Sequence, residues 1–137
     1  MTTKPKFKAG LVQTRTGRDV DANLLATTAL IREAVKGGAE YVQTPEMTNI
    51  MELDRDRLLT WTRPEDGNPA LAHFQAVARE LGIWLHLGSM AVKVAETKLA
   101  NRAYLISPKG AVAARYDKIH MFDVDLPSGE SYRESRR

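Results

Sequence analysis

The residues of this chain best suited to chemistry are two glutamates and a lysine: Glu46, Lys118 and Glu134. Carboxylates and amines are the groups from which acid–base sites are assembled. Glu46 closes the string Thr44-Pro45-Glu46, just past a strand-like run, and the proline restricts the backbone around it. Lys118 comes directly after the strand-like run Ala111–Tyr116, and Glu134 sits in the polar tail. Taken singly, each has an ordinary reading. A glutamate at a strand end is usually solvated or caps a helix, and a lone lysine is usually a surface charge.

Other chemistries find less support. The sequence contains no cysteine, which excludes disulfides, thiolate metal sites and cysteine-dependent catalysis by these residues alone. His73, His86 and His120 lack ligand-like spacing, so no metal site is expected. His73 falls on a helical stretch and His86 within a strand, where packing or hydrogen bonding accounts for them. Gly37-Gly38 ends a helix rather than opening one, so no helix dipole points at an anion there. Trp61 and Trp84 read as core or loop-packing residues rather than as a base-stacking platform.

Composition narrows the class further. Hydrophobic residues make up 43% and charged residues 27%, an ordinary globular balance. The net charge of +3 gathers at the ends, in Lys4, Lys6 and Lys8 and in Arg133, Arg136 and Arg137. It forms no basic face interleaved with aromatics, so no nucleic-acid partner is expected. No apolar run approaches the ~20 residues of a membrane span, and no signal-peptide core opens the chain. No membrane partner is therefore expected, and the expected location is cytoplasmic.

The elements that must position the three charges can be read from periodicity and punctuation. Phe7–Gln13 reads as a first strand. Asp19 or Asp21 can cap a following helix whose buried face is Leu24, Thr28, Ile31 and Val35, with Gly37 and Gly38 ending it. Ala39–Thr44 is a second strand, and strand–helix–strand in this order is a right-handed βαβ unit. Glu46 then falls past the carboxyl end of a strand, where active-site groups of open α/β sheets gather. A short helix is expected around Arg55–Thr60. Asn68-Pro69 opens another, striped with Leu71, Phe74, Ala78 and Leu81 and stopped by Gly82. Ile83–Ala91 is a buried strand. Asn101–Ile106 and Ala111–Tyr116 form a hairpin through the turn Ser107-Pro108-Lys109-Gly110. From Asp117 onward the pattern dissolves, and a domain rarely ends on so long a structureless stretch. The expected fold class is α/β, with a mixed sheet carrying helices.

Several strings, in order, resemble the nitrilase superfamily of carbon–nitrogen hydrolases. They are Ala9-Gly10-Leu11-Val12-Gln13, Asn23-Leu24, Thr44-Pro45-Glu46-Met47, Gly88-Ser89 and Asn101-Arg102-Ala103-Tyr104-Leu105-Ile106-Ser107-Pro108-Lys109-Gly110. Tyr116-Asp117-Lys118-Ile119-His120-Met121-Phe122-Asp123-Val124-Asp125 is similar to the family's lysine motif, most closely in the omega-amidase and deaminated-glutathione amidase branch.

The resemblance implies a Glu-Lys-Cys mechanism. Glu46 matches the general base, Lys118 the ammonium that stabilises the oxyanion, and Glu134 the second glutamate that orients the lysine and substrate, with Glu130 nearby as the alternative. It also implies no cofactor, a small-molecule amide as substrate, carboxylate-bearing by branch and favoured over a nitrile or carbamoyl compound, and a homo-oligomer. The family's cysteine lies further along, in chains about twice this long that fold as a four-layer α-β-β-α sandwich. Residues 1–137 are therefore expected to be the N-terminal part of a single carbon–nitrogen hydrolase domain, truncated before the nucleophile and inactive alone. The alternative is a non-catalytic, degenerate relative that acts as a binding or assembly module. A nucleotide-binding α/β domain ranks lower, since no glycine-rich loop stands at a strand-to-helix junction.

Overall fold

The computed structural model describes residues 6–134; Lys4, Ser135, Arg136 and Arg137 lie outside them. Five strands form one mixed sheet in the order β1-β2-β3-β4-β5. They are β1 (Ala9–Leu11), β2 (Tyr41–Gln43), β3 (Trp84–Ala95), β4 (Lys98–Ile106) and β5 (Val112–Asp117). The first three run parallel, and β4 and β5 turn back antiparallel. Parallel neighbours need crossovers, supplied here by helices α1 (Val20–Lys36) and α3 (Pro69–Leu81), with the short α2 (Arg55–Trp61) before α3.

The local reasons are those of the sequence. Asp19 caps α1 by accepting from the Ala22 amide, and Asn68 caps α3 by accepting from Ala70 and Leu71. Gly82 ends α3 in the left-handed conformation at φ 64°. At the end of α1, Gly38 rather than Gly37 takes the positive φ. The buried face of α1 also differs from the expected stripe. Leu24 and Ile31 are buried, but Asn23 and Thr27 join them, while Thr28 and Val35 are half-buried. The helix is rotated towards the loops that Asn23 binds.

Helices α1 and α3 pack side by side on one sheet face. Ile31 and Phe74 meet Val42, Leu85, Leu87 and Ile106 there, all fully buried. Each such side chain contributes ~1.5–3 kcal/mol through burial. Gly10 allows this close approach, since a Cβ there would lie 2.7 Å from that of Ala34. The opposite face is open: Leu11, Trp84 and Tyr116 are 78%, 42% and 60% exposed. One helical layer on one face of a mixed sheet is the arrangement that half of an α-β-β-α sandwich requires.

Two departures from expectation bear on the site. Strand β3 runs on to Ala95 instead of stopping near Ala91, and it carries a bulge: Leu87 pairs with Tyr104, but Met90 pairs with Arg102. The tail is ordered as a hairpin of β6 (Asp123–Asp125) and β7 (Ser131–Arg133) rather than patternless.

Candidate active site

Glu46 projects from the loop that follows β2, and buried polar groups hold that loop against β3. The Asn49 side chain acts as a one-residue strand, its Nδ2 donating to the Ala91 carbonyl (3.1 Å) and its Oδ1 accepting from the Ala91 amide (2.9 Å). Asn23 Nδ2 donates to the carbonyls of Asn49 (3.0 Å) and Gly17 (2.8 Å). Ser89 contributes its carbonyl to the Thr48 amide (2.8 Å) and its Oγ to the Met47 amide (2.9 Å). Met47 needs that anchor, because it holds a positive φ of 55° without being glycine. Gly88 is required by contact: a Cβ there would meet the Thr44 carbonyl oxygen at 2.4 Å.

Lys118 is placed by strand register. Arg102 pairs with Asp117, and the Lys118 amide then donates to the Asn101 carbonyl (2.9 Å). Arg102 grips Asp117 by two hydrogen bonds (2.6 and 2.9 Å), and alternation sends Asn101 and Lys118 to the opposite, open face. Glu134 follows β7 directly. The tail folds back so that the Phe122 amide donates to Glu134 Oε2 (2.6 Å) and the Glu134 amide to the Phe122 carbonyl (3.2 Å).

These placements bring the three sequence-selected residues together. Lys118 Nζ donates to Glu46 Oε1 at 2.9 Å and to Glu134 at 2.9 and 3.1 Å. Their side chains are graded in exposure, from Glu46 at 56% through Lys118 at 31% to Glu134 at 19%. Burial alone would lower the lysine pKa, but the flanking carboxylates outweigh it and hold the ammonium above the usual lysine value. Burial likewise favours a neutral Glu134, yet Lys118, the Phe122 amide and Asn101 together hold its carboxyl below the usual glutamate range. Glu130 stays outside the cluster, in the hairpin turn, where its carboxylate accepts from Ser128.

Sequence reasoning missed Asn101 as a member. Its Nδ2 donates to Glu46 Oε1 (2.6 Å) and reaches Glu134 Oε1 (3.4 Å). No local signal marks it beyond the alternation that places it on the open face. Both carboxylates line a cavity of about 390 Å³ whose other walls are apolar, including Met51, Leu58, Leu99 and Phe122. A smaller cavity of about 250 Å³ lies alongside, against Gly88, Ser89 and Tyr116, and shares Glu46, Asn101 and Lys118.

His73 bonds Thr28 (2.8 Å) and His86 bonds the Tyr41 hydroxyl (2.7 Å); burial pushes both below the usual histidine pKa. Neither reaches the cluster. Among the described residues no three His, Asp or Glu side chains gather as metal ligands. None of the helices in that range is long and apolar enough to cross a membrane.

The carbon–nitrogen hydrolase family model matches residues 8–137, nearly the whole chain. The chain belongs to the carbon–nitrogen hydrolase family. A deaminated glutathione amidase of Synechocystis sp. is 33% identical over 134 residues, covering 96% of this chain and 48% of that protein. This hydrolase-family chain spans less than half the length of the curated relatives it matches. In fold it is similar to the C. elegans NitFhit protein, with a TM-score of 0.80, 24% identity, and coverage of 93% of this chain and 31% of that one. It is also similar to an amidase from Nesterenkonia sp. (TM-score 0.71, 23% identity, 83% and 43% coverage). A variant of that amidase shows covalent addition of the acetamide moiety of fluoroacetamide at its active-site cysteine.

Proposed function

We propose that this chain supplies the base and the electrostatic half of an amidase site hydrolysing a small, non-peptide amide. The observation that carries the reading is the Lys118 ammonium bracketed at 2.9 Å by Glu46 and Glu134 on the wall of a cavity. The thiol comes from outside these residues, since the sequence has no cysteine.

In this scheme Glu46 accepts the thiol proton as sulfur bonds to the amide carbon. The carbonyl oxygen takes up negative charge, and the Lys118 ammonium stabilises it; one such donor commonly contributes ~3–4 kcal/mol. Collapse breaks the C–N bond, and ammonia leaves with the proton that Glu46 returns. Water then attacks the thioester, Glu46 accepting its proton, and releases the acid and the thiol. Glu134 orients Lys118 through two hydrogen bonds.

Graded exposure supports this division. Glu46 is the more open carboxylate and faces incoming groups, whereas Glu134 is more buried and is tied also to the Phe122 amide. The apolar cavity wall suits the acyl portion of the substrate. A carboxylate-bearing amide would need a further cation, because Lys118 is already shared by two carboxylates. A homo-oligomer in the cytoplasm, working without cofactor, completes the reading by family resemblance.

The test is to express the chain with the coding sequence that continues past Arg137, assay ammonia release from small amides, and trap the acyl-enzyme by mass spectrometry. A protein that retains a cysteine after Glu134 yet never acylates sinks the assignment. The exposed Leu11, Trp84 and Tyr116 on the open sheet face favour a second reading, a non-catalytic assembly module. A stop codon directly after Arg137 would favour it over the first.

A further inference from the structure

We propose that Asn101 is a positioning residue that sets the spacing of Glu46 and Glu134 around Lys118, a role that rests on the amidase reading only for its catalytic consequence. One residue touches all three members. Its backbone carbonyl accepts from the Lys118 amide (2.9 Å), which fixes where the lysine leaves the sheet. Its side-chain amide donates to Glu46 (2.6 Å) and reaches towards Glu134 (3.4 Å), the two groups that hold the ammonium.

The orientation of that amide follows from electrostatics. Turning it over would set the amide oxygen against two carboxylates, so the nitrogen must face them. The Asn101 oxygen is then left buried with no hydrogen-bond partner among the described residues. Buried polar atoms are usually paired, and an exception calls for an explanation. Here the reason is the pair of donated hydrogens. Two carboxylates that share one ammonium repel each other; an amide between them supplies neutral donors to both and adds no charge. The titratable groups facing Asn101 are Glu46, Glu134 and Lys118, with Tyr116 and Tyr132 on the walls of the adjoining cavities.

The test follows the Glu134 side-chain carboxyl by 13C NMR titration in the 137-residue chain and in three variants. Asn101→Asp keeps the shape but replaces donors by a third carboxylate, and it is expected to raise the Glu134 midpoint most, by about one pH unit or more. Asn101→Ala removes the donors without adding charge and is expected to raise it by about half as much. Asn101→Gln keeps an amide and should restore most of the wild-type midpoint. All three retain the backbone carbonyl that pairs with Lys118, so a role confined to that carbonyl would leave the midpoint unmoved in the alanine variant, and that result overturns the proposal. Should the aspartate variant fail to fold, the alanine and glutamine pair carries the discrimination. The titration requires no turnover. A shifted midpoint, together with a continued, cysteine-bearing protein that never acylates, upholds Asn101 while removing the amidase reading; acylation of that protein with an unmoved midpoint does the reverse.

Discussion

Glu46 reaches the ion cluster from a loop locked into the sheet, whereas Lys118 and Glu134 reach it from a segment that lies almost wholly in solvent. Between Thr44 and Glu52, five residues are buried, namely Thr44, Thr48, Asn49, Ile50 and Glu52. Between Lys118 and Glu134, none is. The first flank is positioned by the core and would keep its shape without its charge. The second is held by a two-stranded hairpin, which is marginal on its own, and by the ion cluster itself. The base is thus preorganised by packing, Lys118 by the strand register from which it leaves β5, and Glu134 chiefly by electrostatics.

Breaking the packed flank should have the largest effect. Gly88→Ala drives a methyl group into the Thr44 and Pro45 backbone, and a loss of about 3 kcal/mol is expected by denaturant titration. Asn49→Leu leaves the buried Ala91 amide and carbonyl without partners. A loss of about 2–4 kcal/mol follows, with increased amide exchange across residues 44–52.

The charged flank should respond locally. Glu134→Gln weakens the grip on Lys118 and is expected to cost on the order of 1 kcal/mol, seen as faster amide exchange between Lys118 and Glu134 with an unchanged global Tm. Acidification then separates the flanks. Burial depresses the pKa of His73 and His86, so the unfolded chain binds more protons below ~6.5 and global stability declines modestly as pH falls through that point. Glu134 has a depressed pKa, so its contribution persists above ~4.5 and is lost only as pH falls further, through its folded value. Exchange measured at pH 5.5 should show a weakened core and an intact cluster; the opposite order would invert the comparison. The smallest effect is expected from Arg32→Ala. The Arg32–Glu80 pair is exposed and remote from both flanks, and its removal should leave Tm unmoved.

The sequence made some of this legible and left the rest dark for physical reasons. Asn68-Pro69 and Gly82 bounded α3 because caps and stops act through nearest neighbours. The turn 107–110 announced its hairpin in the same way, with the Gly110 amide donating to the Ser107 carbonyl. Glu46 and Lys118 were legible by strand-end placement joined to the flanking strings. The β6–β7 hairpin was not, since Asp-Val-Asp and Ser-Tyr-Arg carry no apolar stripe, though Pro127-Ser128-Gly129 between them is turn chemistry. Asn49 and Asn101 were invisible because their bonds reach partners far along the chain, where composition and period carry no information.

The bulge at Gly88–Ser89 acts as a phase shift in the pleat. Before it, odd-numbered residues face the helices, as Leu85 and Leu87 do; after it, even-numbered ones do, as Met90 and Val92 do. That change of phase sets the small Ala91 on the cavity wall with Asn101 and sinks the long Met90 into the core. Were the bulge flattened with every residue kept, the two would exchange, filling the cavity with a methionine and leaving a hole beneath the helices. The room available to a substrate is therefore written less in the identity of the wall than in the count of residues that precede it.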